Sequence, residues 1–311
     1  MKRFSQFLQE KLLLISNGKK YGQIVFLVGG AGSGKGFALA NFMEKEKFKV
    51  RDVDEWKRSL QTMANLVDDP EKFARMKGSG LSKIDPERYK DIKDLDLTKP
   101  EDVLAFHKWV EARGIKNKTL DAMLLTMTKP DILPNILFDI TAKVLNDIAK
   151  FMPKILAAGY NPANIHIVWV LTNYTIALSN NMDPKRQRVV PEDIMMWTHK
   201  GSAQTMFDYI RDKGRKLAIN GAIHVILNNR ENTIYWGDPK KPGEKADVIK
   251  DFKYLTLKDR GKAMKKEKSV QRQLYQWIVD NIPTGDLLKA LLDRGVKQGR
   301  SNWKIRKGRR K

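Results

Sequence analysis

The chain has no cysteine, which excludes disulfides and thiolate chemistry and suits a reducing compartment. It has only four histidines, and no spacing of His, Asp or Glu reads as a zinc site. No apolar run approaches the ~20 residues of a membrane span. Leu12 to Ile15, beside Glu10 and Lys11, is too short for the apolar part of a signal peptide. A soluble, cytoplasmic protein without a membrane partner is expected. Negative charge is also scarce. Across 311 residues, 36 acids face 59 Lys and Arg, a formal net charge of +23. That balance points to an anionic partner, either nucleic acid or a phosphorylated substrate. The plainer alternative is charge carried for solubility.

Glycine is concentrated in one place. Gly29-Gly30-Ala31-Gly32-Ser33-Gly34-Lys35-Gly36 follows the apolar run Ile24 to Val28 and precedes a helix-forming stretch, Phe37 to Glu46. Strand, glycine loop and Lys at a helix start form the layout of a phosphate-binding loop. Glycines let successive amides turn inward as a nest for anionic oxygens. The helix N-terminus aims its dipole at the same charge, and Lys35 adds a cation for the outer phosphates. Residues Gly29 to Phe37 are therefore the expected nucleotide contacts. The Ser or Thr that commonly follows the Lys and holds magnesium is replaced by Gly36, and Phe37 comes next.

Three acids stand where strands should end. Phe48 to Asp54 reads as a second strand, with Asp52 and Asp54 on one face. Ligands of doubly wound sheets sit beyond the carboxyl ends of strands. Asp54 is thus the candidate base for a substrate hydroxyl, while either Asp could cap the helix that follows. Pro134 to Asp139 reads as a buried strand, and Asp139 occupies the place of an acid that orients magnesium, with capping of the following helix as the alternative. Asp139 and Asp52 are the candidate metal residues. Asn164 to Leu171 and Ala222 to Asn229 read as further buried strands, and Glu231 to Trp236 as a hairpin partner at the sheet edge. Between Asp183 and Asp193 lies a basic lid candidate, where Arg188 first and Arg186 second could clamp a transferring phosphoryl group. His199, beyond it, reads as a packed or surface histidine.

The expected architecture is α/β, a doubly wound, mostly parallel five-stranded kinase-type sheet. Residues 21–236 form the core, with a helical insertion over about 57–133. Its expected helices are Trp56–Val67, Pro70–Met76, Pro100–Ala112 and Lys118–Met127. Others are expected over Ala142–Ala157, up to Asn180, and from Pro191. Residues 1–20 read as an amphipathic segment. Residues 237–311 read as a basic helical region, with helices Val270–Asn281 and Thr284–Arg294. The tail Lys304 to Lys311 carries six positive charges and no acid, and suits DNA or RNA binding by counterion release.

The loop Gly29 to Lys35, the pair Asp52-Val53-Asp54, and Val170 to Tyr174 leading to Arg186-Gln187-Arg188-Val189-Val190-Pro191 together resemble the zeta-toxin-type P-loop kinases, particularly phage-borne versions. The resemblance covers roughly residues 20–230. It implies transfer of the γ-phosphate of ATP or GTP, with Mg²⁺, to an alcohol group, in the best-known family case on an amino-sugar nucleotide; a nucleotide is a further candidate acceptor, and the charge balance favours a nucleic acid more than the resemblance does. By the same resemblance Asp54 is the base, Arg188 the phosphate clamp, and an antitoxin a candidate partner. The chain departs from the family at a second, upstream Arg. Thr175 or Asn180 stands near that place, with Lys185 or Arg186 as the available substitutes. Leu8-Gln9-Glu10 resembles the cleavage site behind which large phages package internal proteins. That implies the alternative of a nucleotide- and nucleic-acid-binding protein of the virion interior with a capsid partner and little turnover.

Overall fold

The computed structural model describes Leu13, Ile15 and residues 21–66, 69, 71, 90–115, 120–121, 123–124, 133–183, 188–211, 217–229, 233–236, 248–265 and 268–281. The expected helices Pro70–Met76, Lys118–Met127 and Thr284–Arg294 fall largely or wholly outside these residues, as do Lys185, Arg186 and the basic tail. So does most of the segment before Tyr21. Its described residues Leu13 and Ile15 are buried, and Leu13 bridges Met43.

The sheet forms from short apolar runs. Strand β1 (Ile24–Val28) pairs in parallel with β3 (Ile136–Ile140) on one side and β4 (Ile165–Leu171) on the other. Strand β2 (Lys49–Asp52) extends the sheet beyond β3, and β5 (Ile223–Leu227) extends it beyond β4. Every residue of β1, β4 and β5 is buried, as expected of largely apolar strands covered on both faces, with His166 and His224 as the polar exceptions in β4 and β5. One face packs Phe26, Phe138, Phe151, Trp169 and Met206 together. The other packs Val25, Leu27, Phe42, Val168 and Phe252.

The sheet has six strands rather than five. Strand β8 (Tyr254–Lys258) adds antiparallel to β5, giving the order β2-β3-β1-β4-β5-β8. The expected hairpin partner instead forms β6 (Thr233–Trp236), which pairs with β7 (Val248–Phe252) in a separate two-stranded sheet. Tyr254 follows Phe252 after a single residue, and both rings pack on the core, so the edge position goes to the later strand.

Helix α1 (Lys35–Phe42) follows β1, and α2 (Val53–Leu66) follows β2 directly. The expected strand through Asp54 therefore ends at Asp52, and Asp54 lies in the first helical turn. Short α3 (Lys90–Lys93) and α4 (Pro100–Ala112) complete the described part of the helical insertion. Ala64, Ile92, Phe106 and Val110 give this insertion its own small core. After β3, the expected single helix is two, α5 (Asn146–Ala149) and α6 (Met152–Ala157). Pro153 has no amide to continue the first helix, so it opens the second. Helices α7 (Tyr174–Asn181) and α8 (Glu192–Arg211) follow β4, and α9 (Lys268–Asn281) closes the described chain. All five parallel strands end at the same edge of the sheet, and that edge carries the site.

Candidate active site

The glycine loop leaves β1 at Gly29 and enters α1 at Lys35. Gly32 and Gly34 have φ of 74° and 80°, the left-handed region that glycine tolerates best. A Cβ on Gly34 would also stand 2.1 Å from the Asn228 Nδ2 atom. The loop carbonyls are held from several sides. Lys35 Nζ donates to Gly29 O at 3.0 Å, and the Ser33 amide donates to Gly30 O at 3.2 Å. His199 Nε2 lies 2.6 Å from Ala31 O. Asn180 donates to Gly32 O at 3.3 Å, and Asn228 to Ser33 O at 2.9 Å. No side chain caps α1, and its first turn has no acid. Its leading amides thus remain available to an anion. A Cβ on Gly36 would meet nothing within 4 Å.

Two residues of α8 brace the loop. Thr198 Oγ1 accepts from the Ala31 amide at 3.0 Å, and His199 contacts the carbonyl of the same residue. A carbonyl can only accept, so His199 Nε2 carries the proton. A Cβ on Gly30 would stand 2.4 Å from the His199 ring. Burial lowers the His199 pKa to about 4, against the opposing pull of the Ala31 hydrogen bond and with Lys35 adding to the fall. The ring is therefore neutral at physiological pH. His199 is packed, as one of its two sequence readings held, but against the phosphate loop. Spacing gave no sign of this, because 168 residues separate His199 from Ala31.

The three acids divide their tasks. Asp52 Oδ1 accepts from the Asp54 amide at 2.8 Å, so Asp52 caps the start of α2. Asp54 is half-exposed at the cleft, paired with Arg188 and with Lys57 at 3.2 Å. Burial would raise the Asp54 carboxyl, but the Arg188 and Lys57 charges outweigh it and hold the pKa down at about 2. Asp139 stands opposite Asp52 in the β2–β3 register, and Lys35 Nζ lies 3.6 Å from its Oδ1. Burial pushes Asp139 up to about 6 despite Lys35, and the Asp52 and Asp54 charges add to the rise.

Asp54, Lys57, Arg58 and Arg188 line a shallow cleft together with Leu97, Val103 and Phe106 of the helical insertion. The sheet edge thus gathers Gly29 to Phe37, Asp52, Asp54, Asp139 and Arg188. Phe37 follows the loop on α1 and is 41% exposed. Of the residues near the family's upstream Arg, Asn180 reaches the loop, whereas Thr175 bonds Asn173. Among the described residues no group of three or more His, Asp or Glu gathers to hold a metal by itself, and no helix is long and apolar enough to cross a membrane.

No protein-family model matches the chain, and no curated protein does. Solved structures with a similar course include a chain from the PezAT chromosomal toxin–antitoxin system of Streptococcus pneumoniae. It shares 14% identity at a TM-score of 0.41 over 86% of this chain and 92% of that one. A complex of AvrRxo1-ORF1 and ORF2 with ATP shares 8% identity at a TM-score of 0.43, over 90% of this chain and 78% of that one. The same complex with sulphate ions shares 9% identity at a TM-score of 0.42, over 90% and 77%. These are distant likenesses, and the reading of the site rests on the chain's own residues.

Proposed function

We propose that the chain is a P-loop kinase of zeta-toxin type that transfers the γ-phosphate of ATP or GTP to a hydroxyl group. The observation that carries this reading is the meeting of an amide cradle and Lys35 with two acid–cation pairs at one sheet edge. Lys35 leaves the Gly29 and Gly30 carbonyls to meet the outer phosphates, and the amides at the start of α1 take the inner ones. Asp54 accepts the proton of the acceptor hydroxyl as its oxygen bonds to phosphorus. The bond from that phosphorus to the bridging oxygen breaks, and the nucleoside diphosphate leaves. Arg188 neutralises charge on the transferring group.

Magnesium suits the donor set. It binds through one or two carboxylates together with phosphate oxygens and water, and Asp139 and Asp52 offer carboxylates side by side at adjacent strand ends. When bound it would supply charge stabilisation at the phosphates. The cleft beside Asp54 combines three cations with Leu97, Val103 and Phe106. That lining favours an acceptor with an anionic group joined to a flatter, less polar part, such as a nucleotide, a nucleotide sugar or a nucleic-acid end. An antitoxin covering the cleft is the protein partner this reading brings with it.

The test is a screen for transfer of labelled γ-phosphate to nucleotide sugars, nucleosides and DNA or RNA ends. Asp54→Asn is expected to abolish transfer while leaving ATP bound. A protein that does not bind ATP, or an Asp54→Asn variant with full transfer, would overturn the proposal.

A further inference from the structure

Arg188 is useful only if its guanidinium stands between the cradle and the acceptor cleft. It lies on no helix or strand, so something must fix its backbone. Residues 188–190 run between two supports. On one side the Val189 amide donates to Leu97 O, in the helical insertion, at 3.1 Å. On the other, the Asn181 carboxamide at the end of α7 engages both backbone groups of Val190. Its Nδ2 donates to Val190 O at 2.8 Å, and its Oδ1 accepts from the Val190 amide at 2.9 Å. The Asn181 side chain thus serves Val190 as a neighbouring strand would. Asn181 is 2% exposed, so water competes little for these bonds. The adjacent Asn180 holds Gly32 of the phosphate loop. Consecutive residues of one helix therefore tie the loop and the arginine segment to a common support.

We propose that Asn181 is the positioning residue for Arg188, its bidentate grip on Val190 setting where the guanidinium stands relative to Asp54 and the transferring phosphate. The proposal rests on the kinase reading for its catalytic consequence, but not for its geometry. A paired amide is suited to this task because it fixes both the position and the twist of the Val190 peptide. A single hydrogen bond would leave the segment free to rotate. Misplacement of a reacting or clamping group by about 1 Å costs on the order of 100-fold in rate.

The test compares wild type with Asn181→Leu, which keeps the γ-branched shape and loses both bonds. The first readout needs no turnover. The Arg188 side-chain Nε–H resonance is followed by nitrogen NMR at neutral pH, with Asp54→Ala as the reference for complete loss of the pair. In Asn181→Leu the resonance is expected to move toward its position in Asp54→Ala. The second readout is transfer, where kcat falls about 100-fold and KM for ATP stays within about twofold. Adding Asn181→Leu to Arg188→Ala then costs little more, because both changes remove one function.

A folded Asn181→Leu protein whose Arg188 resonance stays where it is in wild type would overturn the proposal. So would an undiminished loss when Asn181→Leu is added to Arg188→Ala. If wild type transfers no phosphate to any acceptor, the kinase reading fails, and the NMR measurement still decides the role of Asn181. Should Asn181→Leu fail to fold, Asn181→Ser gives the same readouts.

Discussion

Replacing Asp139 with Asn should stabilise the protein at neutral pH while impairing it as an enzyme. Asp139 lies at the end of β3 with 21% of its side chain exposed, and its nearest cation is Lys35 at 3.6 Å. Burial raises its pKa from 3.8 to about 6. A raised acid in the folded state means that the folded chain binds the proton more tightly than the unfolded chain. Stability is therefore greatest below about pH 4, falls as pH rises toward 6, and stays low above it. At about 1.4 kcal/mol per pH unit the interval corresponds to roughly 3 kcal/mol. Residual solvent contact trims this to roughly 2 kcal/mol. Asn keeps the shape without the charge, so the variant should gain about that much at pH 7. Its advantage should close as pH approaches 4, where the wild-type carboxyl is protonated. Urea unfolding of both proteins at pH 7 and pH 4 measures the difference of differences, which cancels generic effects of the substitution. An advantage equal at both pH values, or a variant less stable at pH 7 than at pH 4 relative to wild type, would refute the reasoning. Phosphoryl transfer by the variant should fall at least about tenfold, since the carboxylate is kept charged at a cost that folding alone does not repay.

Two further outcomes follow from the loop and the tail. Gly36→Ala places a methyl group where no protein atom lies within 4 Å, in helical backbone. It should stabilise the free protein by about 0.5–1 kcal/mol and weaken ATP binding measured by calorimetry; unchanged affinity would place the phosphates away from the start of α1. Deleting residues 304–311 removes six positive charges, and should flatten the dependence of DNA or RNA affinity on salt by up to about five in the log–log slope; an unaltered slope would remove the tail from the interface.

The phosphate loop was legible because its information is local. Glycine spacing, the strand before it and Lys35 at a helix start all lie within a few residues, and each has one dominant physical reading. The continuous apolar runs of β1, β4 and β5 were equally plain, since only strands covered on both faces need them. The strand count was less legible. Strand β8 runs from three half-buried residues to two buried ones, the last of them Lys258, and nothing local says that it, rather than Thr233–Trp236, takes the sheet edge. The Asp52–Asp54 pair was read as one strand face. The helix begins one residue after Asp52, because that carboxylate caps it, and so the two acids part.

The sequence by itself determined the elements at the sheet edge: a glycine-rich loop before a helix, apolar strands to carry it, and acids near the strand ends. It could do so because backbone preference and hydrophobic periodicity act over short distances along the chain. Only the tertiary structure decided which distant groups meet there. It set His199 and Thr198 against Ala31, Arg188 against Asp54, and Asn228 against Ser33. Each of these contacts depends on how layers of helix and sheet stack, and side-chain hydrogen bonds and charges act through space, across separations that no sequence window contains.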